Sequence, residues 1–273
     1  MTQPLGYSPD FLGPVIRVPR ISAEYRNDIY KLKNAQVIHY THFSLALSVS
    51  RRLAYWVAWN IDGGRLKKIS RKGIKFVLDT RIPNQYQMGN EVYAGNRLDR
   101  GHIARRADLL WGTQIEARQA NLDSFTFTNI TPQMDNFNQA AREGVWGQLE
   151  DAVFENVEVD NLRVSIFGGP VFYADDRLYR TVQVPREFYK VLAYVEGGIL
   201  KAKGFLMTQN INPLTVLELE AFKVYQVTLE EVEQRGSFTF PKILKDSDQF
   251  PTTPNGMTRG ERKPITSLDE IAW

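Results

Sequence analysis

Apolar residues fall in short runs along this chain, and the spacing within each run separates strands from helices. "QVIHYTHFSLALS" (36–48) and "RLAYWVAWNID" (52–62) are β-rich and flank Ser50 and Arg51, which predicts a hairpin. "GIKFVLDTRIP" (73–83) is a further strand candidate, stopped by Pro83 because proline offers no N–H to a ladder. "SFTFTNITPQ" (124–133) alternates Phe and Thr at period two until Pro132. In "REGVWGQLEDAVFENV" (142–157), Trp146, Leu149, Val153 and Val157 recur at helical spacing, so a helix is expected to begin near or after Gly144. "NLRVSIFGGPVF", "REFYKVLAYV" and "LKAKGFLMTQN" read as strands, with a Gly-Gly-Pro turn dividing the first from its continuation. "NPLTVLELEAF" and "TLEEVEQRG" read as short helices, the second closed by Gly236.

Strands dominate, helices interrupt them irregularly, and neither an internal repeat nor a βαβαβ rhythm is present. That pattern is α+β in one domain, with a mixed, mainly antiparallel sheet. The expected organisation is an extended lead-in rich in Pro and turn residues (1–30), one folded domain (31–244) and a polar C-terminal tail (245–273). A chain of 273 residues that is 43% hydrophobic and 24% charged can build a large core.

The net charge of +3 says little about partners, but its distribution says more. "RLKKISRKGIK" (65–75) carries Arg65, Lys67, Lys68, Arg71, Lys72 and Lys75 with no acid among them. Such a run suits a phosphate backbone, or it is a hairpin edge kept soluble by its lysines. The absence of cysteine excludes disulfides, cysteine-based zinc sites and a thiol nucleophile. "MTQPLGYSPDFLG" lacks the basic and apolar regions of a secretory signal, and no apolar run approaches the ~20 residues that span a bilayer. A soluble, cytoplasmic protein is expected, with export by a non-classical route left open.

One stretch concentrates candidate chemistry. "NRLDRGHIARRADLLWG" (96–112) holds His102, one of three histidines, after Asp99, Arg100 and Gly101 and before Arg105 and Arg106. A histidine with an ordinary pKa near ~6.5 accepts a proton at neutral pH, and neighbouring arginines disfavour its cationic form. Those arginines would hold a phosphate and the charge that builds on it. Alone, the histidine could equally be a surface residue. "TNITPQMDNFNQ" adds Asn129, Gln133, Asn136 and Asn138, and "WGQLE" adds Glu150. Neutral oxygens with one carboxylate suit a hard cation such as Mg²⁺, although asparagines near proline also serve as turn residues.

The ordered set "DRGH", "TNITPQ....N" and "W..LE" resembles the DNA/RNA non-specific endonucleases of the ββα-metal superfamily. "WVAWNIDG", "FGGPVF", "VPREFYKVLAYV" and "FKVYQVTLEEVEQRGSFTF" extend the resemblance over about residues 38–240, in the family's order. It implies a metal-dependent endonuclease that cuts DNA, with RNA as a further substrate, using one Mg²⁺ for which Mn²⁺ could substitute. It implies that His102 deprotonates the attacking water and that Asn138 is the main protein ligand of the metal. Glu150 would act on the metal through water, and Arg100 and Asn129 would contact the phosphate or brace the base. An upstream arginine also belongs to the family's site, for which Arg71 is the candidate and Lys72 the alternative. Arg71, Lys72, Arg100, Arg105 and Arg106 would contact nucleic acid. The partners implied are DNA or RNA and a second copy of the chain; an inhibitor or regulatory protein is expected besides, because a free non-specific nuclease would damage its host. The alternative is an inactive member that binds nucleic acid or a partner without cutting.

The chain departs from the family pattern at "AARE" (140–143), which lengthens the gap between Asn138 and Glu150. Twelve helical steps at ~100° each would turn Glu150 about 120° from Asn138, so the insertion must bulge or loop, as Gly144 permits. Glu143 is the competing carboxylate. His39 and His42, three apart on an expected strand, would face opposite ways and are read as structural.

Overall fold

Period-two alternation in the long strands gives the main sheet two apolar faces, and each face has its own core. The structure is a computed structural model that describes residues 6–138, 145–159, 161–209, 223–250 and 263–265. The first strands are β1 (Arg20–Ile21), β2 (Ile38–Tyr40), β3 (Phe43–Leu47), β4 (Ala54–Asp62), β5 (Leu98–His102) and β6 (Ile130–Met134). They are followed by β7 (Arg163–Val171), β8 (Arg177–Tyr179), β9 (Val182–Val184) and β10 (Glu187–Glu196). The last are β11 (Ile199–Thr208), β12 (Lys223–Val227), β13 (Phe238–Thr239) and β14 (Lys263–Ile265). The α-helices are α1 (Gln114–Asp123), α2 (Asp135–Asn138), α3 (Val145–Val159), α4 (Leu229–Gly236) and α5 (Lys242–Lys245).

Eight strands form one antiparallel sheet in the order β14-β12-β11-β10-β7-β4-β3-β2. On one face Val57, Trp59, Ile166 and Phe188 pack against Trp146, Leu149 and Val153 of α3 and against the β5–β6 ribbon. On the other, Trp56, Ala58, Phe167 and Tyr189 pack against α4 and against Tyr7 and Ile16 of the N-terminal segment. The functional side chains therefore stand on the first face, braced by the sheet's rigid centre. No helix among the described residues is long and apolar enough to cross a membrane.

Several local expectations are corrected. The run 36–48 is two strands, because His42 takes a left-handed conformation (φ 69°) and turns β2 back into β3. His42 stacks on Trp111 at 3.6 Å, while His39 Nδ1 lies 2.8 Å from Ser44 Oγ, so both have structural partners. Residues 73–83 form no strand: Val77 makes an isolated β-bridge to Thr126, Asp79 accepts from the Tyr40 hydroxyl, and Phe76 and Leu78 pack inward. Pro132 does not end its strand. It lies within β6 opposite Arg100, with its nitrogen on the outer edge of the ribbon, where the Gln209 side chain bonds Met134 N and the Pro132 carbonyl and a missing N–H costs no ladder bond. Gly168, Gly169 and Pro170 form no turn but continue β7. A Cβ at Gly169 would lie 2.8 Å from the Tyr55 carbonyl oxygen, which explains glycine inside a strand. The left-handed residue that ends α4 is Ser237 (φ 58°), not Gly236. The helix expected over 212–222 lies outside the described residues. Past Lys245 the chain stays on the sheet as far as Gln249, whose N–H donates to the Ala202 carbonyl at 2.8 Å.

Candidate active site

The site starts from the β5–β6 ribbon, whose register sets His102 against Ile130, Arg100 against Pro132 and Asp99 against Gln133. Strand alternation puts Arg100 and His102 on one face of β5. Gly101 separates them because the Gln133 side chain already occupies the space a Cβ would need.

His102 Nε2 is buried and has no hydrogen-bond partner among the described residues. Phe125 meets the ring edge-on at 5.2 Å and Phe76 lies at 5.6 Å. Burial, reinforced by Arg71 and Arg106, pushes the imidazole down to about 3, so it is neutral at physiological pH and its bare nitrogen can accept a proton. The ring opens on a cavity of about 250 Å³ lined also by Arg71, Arg105, Arg106, Asn138 and Glu150.

The loop after His102 is held from below by Asn129, which is fully buried. Its Oδ1 accepts from Ala104 N at 2.9 Å, and its Nδ2 donates to the Ala104 and Ser124 carbonyls at 3.0 and 3.1 Å. Of the two roles open to Asn129, these bonds support bracing rather than phosphate contact. Arg105 then ties the loop to α3, donating to the Glu150 carbonyl at 2.9 Å and to Asp151 Oδ1 at 2.5 Å. Arg106 donates to the Ile69 carbonyl at 3.0 Å and to Asn121 Oδ1 at 3.1 Å, joining the loop to the basic run.

Glu150 reaches the cavity from α3 with Lys190 Nζ 2.9 Å from its Oε1 and Arg105 Nε 3.9 Å from its Oε2. Asn138 reaches it from α2 and donates through Nδ2 to Asp99 Oδ2 at 3.1 Å. A carboxylate can only accept, so this bond orients the amide and turns Oδ1 away from Asp99. Asn138 and Glu150 are twelve positions apart, yet both line the same cavity. Among the described residues no group of three His, Asp or Glu side chains could hold a metal. What the cavity offers a cation is the Asn138 amide oxygen and the Glu150 carboxylate, a set that could hold a hard cation that takes few protein oxygens and keeps much of its water.

The other predicted residues divide. Arg71 lines the cavity with its guanidinium 5.8 Å from the Phe125 ring, whereas Lys72 does not line it. Arg100 stands beside the cavity, donating to Asn90 Oδ1 at 2.8 Å and covering Tyr93 at 5.0 Å. It shares Phe76 with His102, at 5.5 Å. Glu143 lies outside the described residues. Two residues escaped the sequence reading. Lys190 is buried with its Nζ 4.1 Å from the Trp146 ring, and its signal was a single lysine inside an apolar strand. Asp108, in "ADLLWG", accepts from Trp59 Nε1 at 3.0 Å, and burial pushes its carboxyl up to about 6 against the pull of Arg105.

A histidine on an antiparallel ribbon, with an asparagine and a glutamate of the following helices lining the same cavity, is the set that the sequence resemblance implied. The chain belongs to the DNA/RNA non-specific endonuclease family, whose model matches residues 21–247. It is 36% identical over 257 residues to the y4fB protein of Sinorhizobium fredii, covering 89% of this chain and 38% of that one. It is 26% identical to a nuclease of Nostoc sp., covering 72% of this chain and 70% of the relative. With the mitochondrial endonuclease G of Homo sapiens it shares 28% identity, covering 77% and 71%. The fold resembles that in the crystal structure of an EndoG/EndoGI complex, with a TM-score of 0.58 and 22% identity over 75% of this chain and 85% of that one.

Proposed function

We propose that this protein is a Mg²⁺-dependent endonuclease, with Mn²⁺ as a substitute, that hydrolyses phosphodiester bonds of DNA and RNA with little sequence preference. One observation carries the reading: His102, neutral and with Nε2 unpartnered among the described residues, lines a cavity shared with three arginines, Asn138 and Glu150. Backbone phosphates are held there by Arg71 and Arg106, and no base-reading helix is needed for a substrate recognised this way. His102 Nε2 takes the proton of the attacking water as its oxygen bonds to phosphorus and the bond to the leaving sugar oxygen breaks. Substrate phosphate among the arginines offsets their repulsion of the imidazolium, so the base strengthens once the site is loaded. Asn138 Oδ1, and Glu150 through water, would hold the metal, which when bound supplies positive charge at the phosphate oxygens. Asn129 and Arg105 keep the loop carrying His102 in register with α3.

The test is cleavage of supercoiled plasmid with Mg²⁺, with EDTA, and by His102→Ala. Loss in both controls is expected, with the variant slowed ~10²–10⁴-fold and still binding DNA. Wild-type rates in the variant would remove His102 from the mechanism. A second reading, a member that binds without cutting, is favoured by the commitment of Glu150 to Lys190 and Arg105. No cleavage with any divalent metal would support it. An inhibitor that restrains the activity would be a further partner, and the EndoG/EndoGI complex shows that fold neighbour with one.

A further inference from the structure

A second cavity, of about 470 Å³, adjoins the catalytic one and shares Arg106 and Ala107 with it. Its size is in the range of small-ligand pockets, roughly 300–1,000 Å³. One wall is apolar, formed by Leu66, Leu110 and Phe154, and the rim is cationic, formed by Lys67, Lys68 and Arg106. Among the described residues no acidic side chain lines it.

The basic run is held in place by its backbone. Lys67 N donates to the Leu110 carbonyl at 2.6 Å, the Ile69 carbonyl accepts from Arg106, and the Ser70 carbonyl accepts from Asn121 Nδ2 at 3.0 Å. Lys67 and Lys68 are left exposed on a fixed ledge. Burial and the nearby Arg71 and Arg105 lower the Arg106 guanidinium below its usual range, so the junction of the two cavities is crowded with like charge that an anion would relieve.

We infer that this groove is a nucleotide subsite. It would hold the base next to the cleaved phosphate against Leu66, Leu110 and Phe154, with the following phosphates on Lys67 and Lys68. The inference rests on the nuclease reading for the position of the cleaved phosphate. Cations that converge on an apolar wall match a nucleotide, whose charge lies on the backbone and whose base has an apolar face. A base stacked inside a duplex cannot offer that face, so the groove takes an unpaired nucleotide and favours single-stranded segments.

The test compares binding of a short fluorescent single-stranded oligodeoxynucleotide with that of the same backbone made abasic, by anisotropy in EDTA. Wild-type protein is expected to bind the natural strand at least about fivefold more tightly, the lower end of a single base–aromatic contact. Phe154→Ala should erase that preference and Phe154→Tyr should keep it. Lys67→Gln with Lys68→Gln should weaken both ligands and reduce the salt slope by about 0.7 per lost phosphate contact. Equal binding of the two strands by wild-type protein overturns the subsite, whatever the folding of Phe154→Ala. Unchanged affinity in the lysine variant also overturns it. Plasmid cleavage without a base preference leaves the nuclease reading standing and removes the subsite. A base preference without cleavage does the reverse.

Discussion

Lys190 Nζ lies 2.9 Å from Glu150 Oε1, with the lysine side chain 1% and the glutamate 10% exposed. The ammonium also stands 4.1 Å from the Trp146 ring, so β10 fixes both the carboxylate and the first turn of α3. Removing one partner of a buried pair costs about 3–5 kcal/mol, because the other charge is stranded. Lys190→Met should fall toward the lower end, since Arg105 remains near Glu150. Combining it with Glu150→Gln should restore much of the loss. Urea unfolding of the three variants measures this, and additive losses would show that the pair is not coupled.

Asn129 is fully buried, does not line the cavity, and commits both Nδ2 hydrogens and an Oδ1 lone pair to bonds within the protein. Asn129→Ala leaves the buried Ala104 N–H without its acceptor, at about 1–3 kcal/mol, with further loss from the two carbonyls. A lowered midpoint in chemical denaturation is expected, with most cleavage activity retained well below it. A large loss of rate in a variant of undiminished stability would instead place Asn129 on the phosphate.

His102 is held down to about 3 from an ordinary 6.5, first by burial and then by Arg71 and Arg106. Between those values the unfolded chain binds a proton here that the native protein refuses, so native stability rises with pH across the window. The contribution is complete above pH 6.5 and is lost as pH falls toward 3. Denaturation midpoints measured through the window should therefore slope less in His102→Gln than in wild type. In the free enzyme kcat/KM should likewise show no fall from this group near neutrality. An inflection near the ordinary histidine value would mean that the ring is solvated.

Asn138 is oriented by Asp99 Oδ2 at 3.1 Å. Asn138→Ala should raise the Mg²⁺ concentration needed for half-maximal cleavage, and Asp99→Asn, which can pair with the amide either way round, should raise it less. An unchanged Mg²⁺ titration in Asn138→Ala would remove it as a ligand.

The contiguous parts of this site were legible along the chain. The segment from Asp99 to His102 is contiguous, so its charges and histidine were read directly, and β5 then places Arg100 and His102 on one face. Trp146, Leu149 and Val153 similarly announce α3 and its buried side through helical period. The strand breaks were harder to read. His42 reverses the chain in a left-handed turn no residue type announces, and Gly168-Gly169-Pro170 looks like a turn but is strand because Tyr55 and Tyr189 crowd its face. Only the tertiary structure decided which charges meet. Lys190 and Glu150 are forty residues apart in sequence, and Arg106 and Ile69 thirty-seven. Those contacts depend on how α3 and the basic run dock on the sheet, which is set by packing summed over the whole core. Periodicity states which face of an element is buried; what it is buried against is a property of the assembled fold.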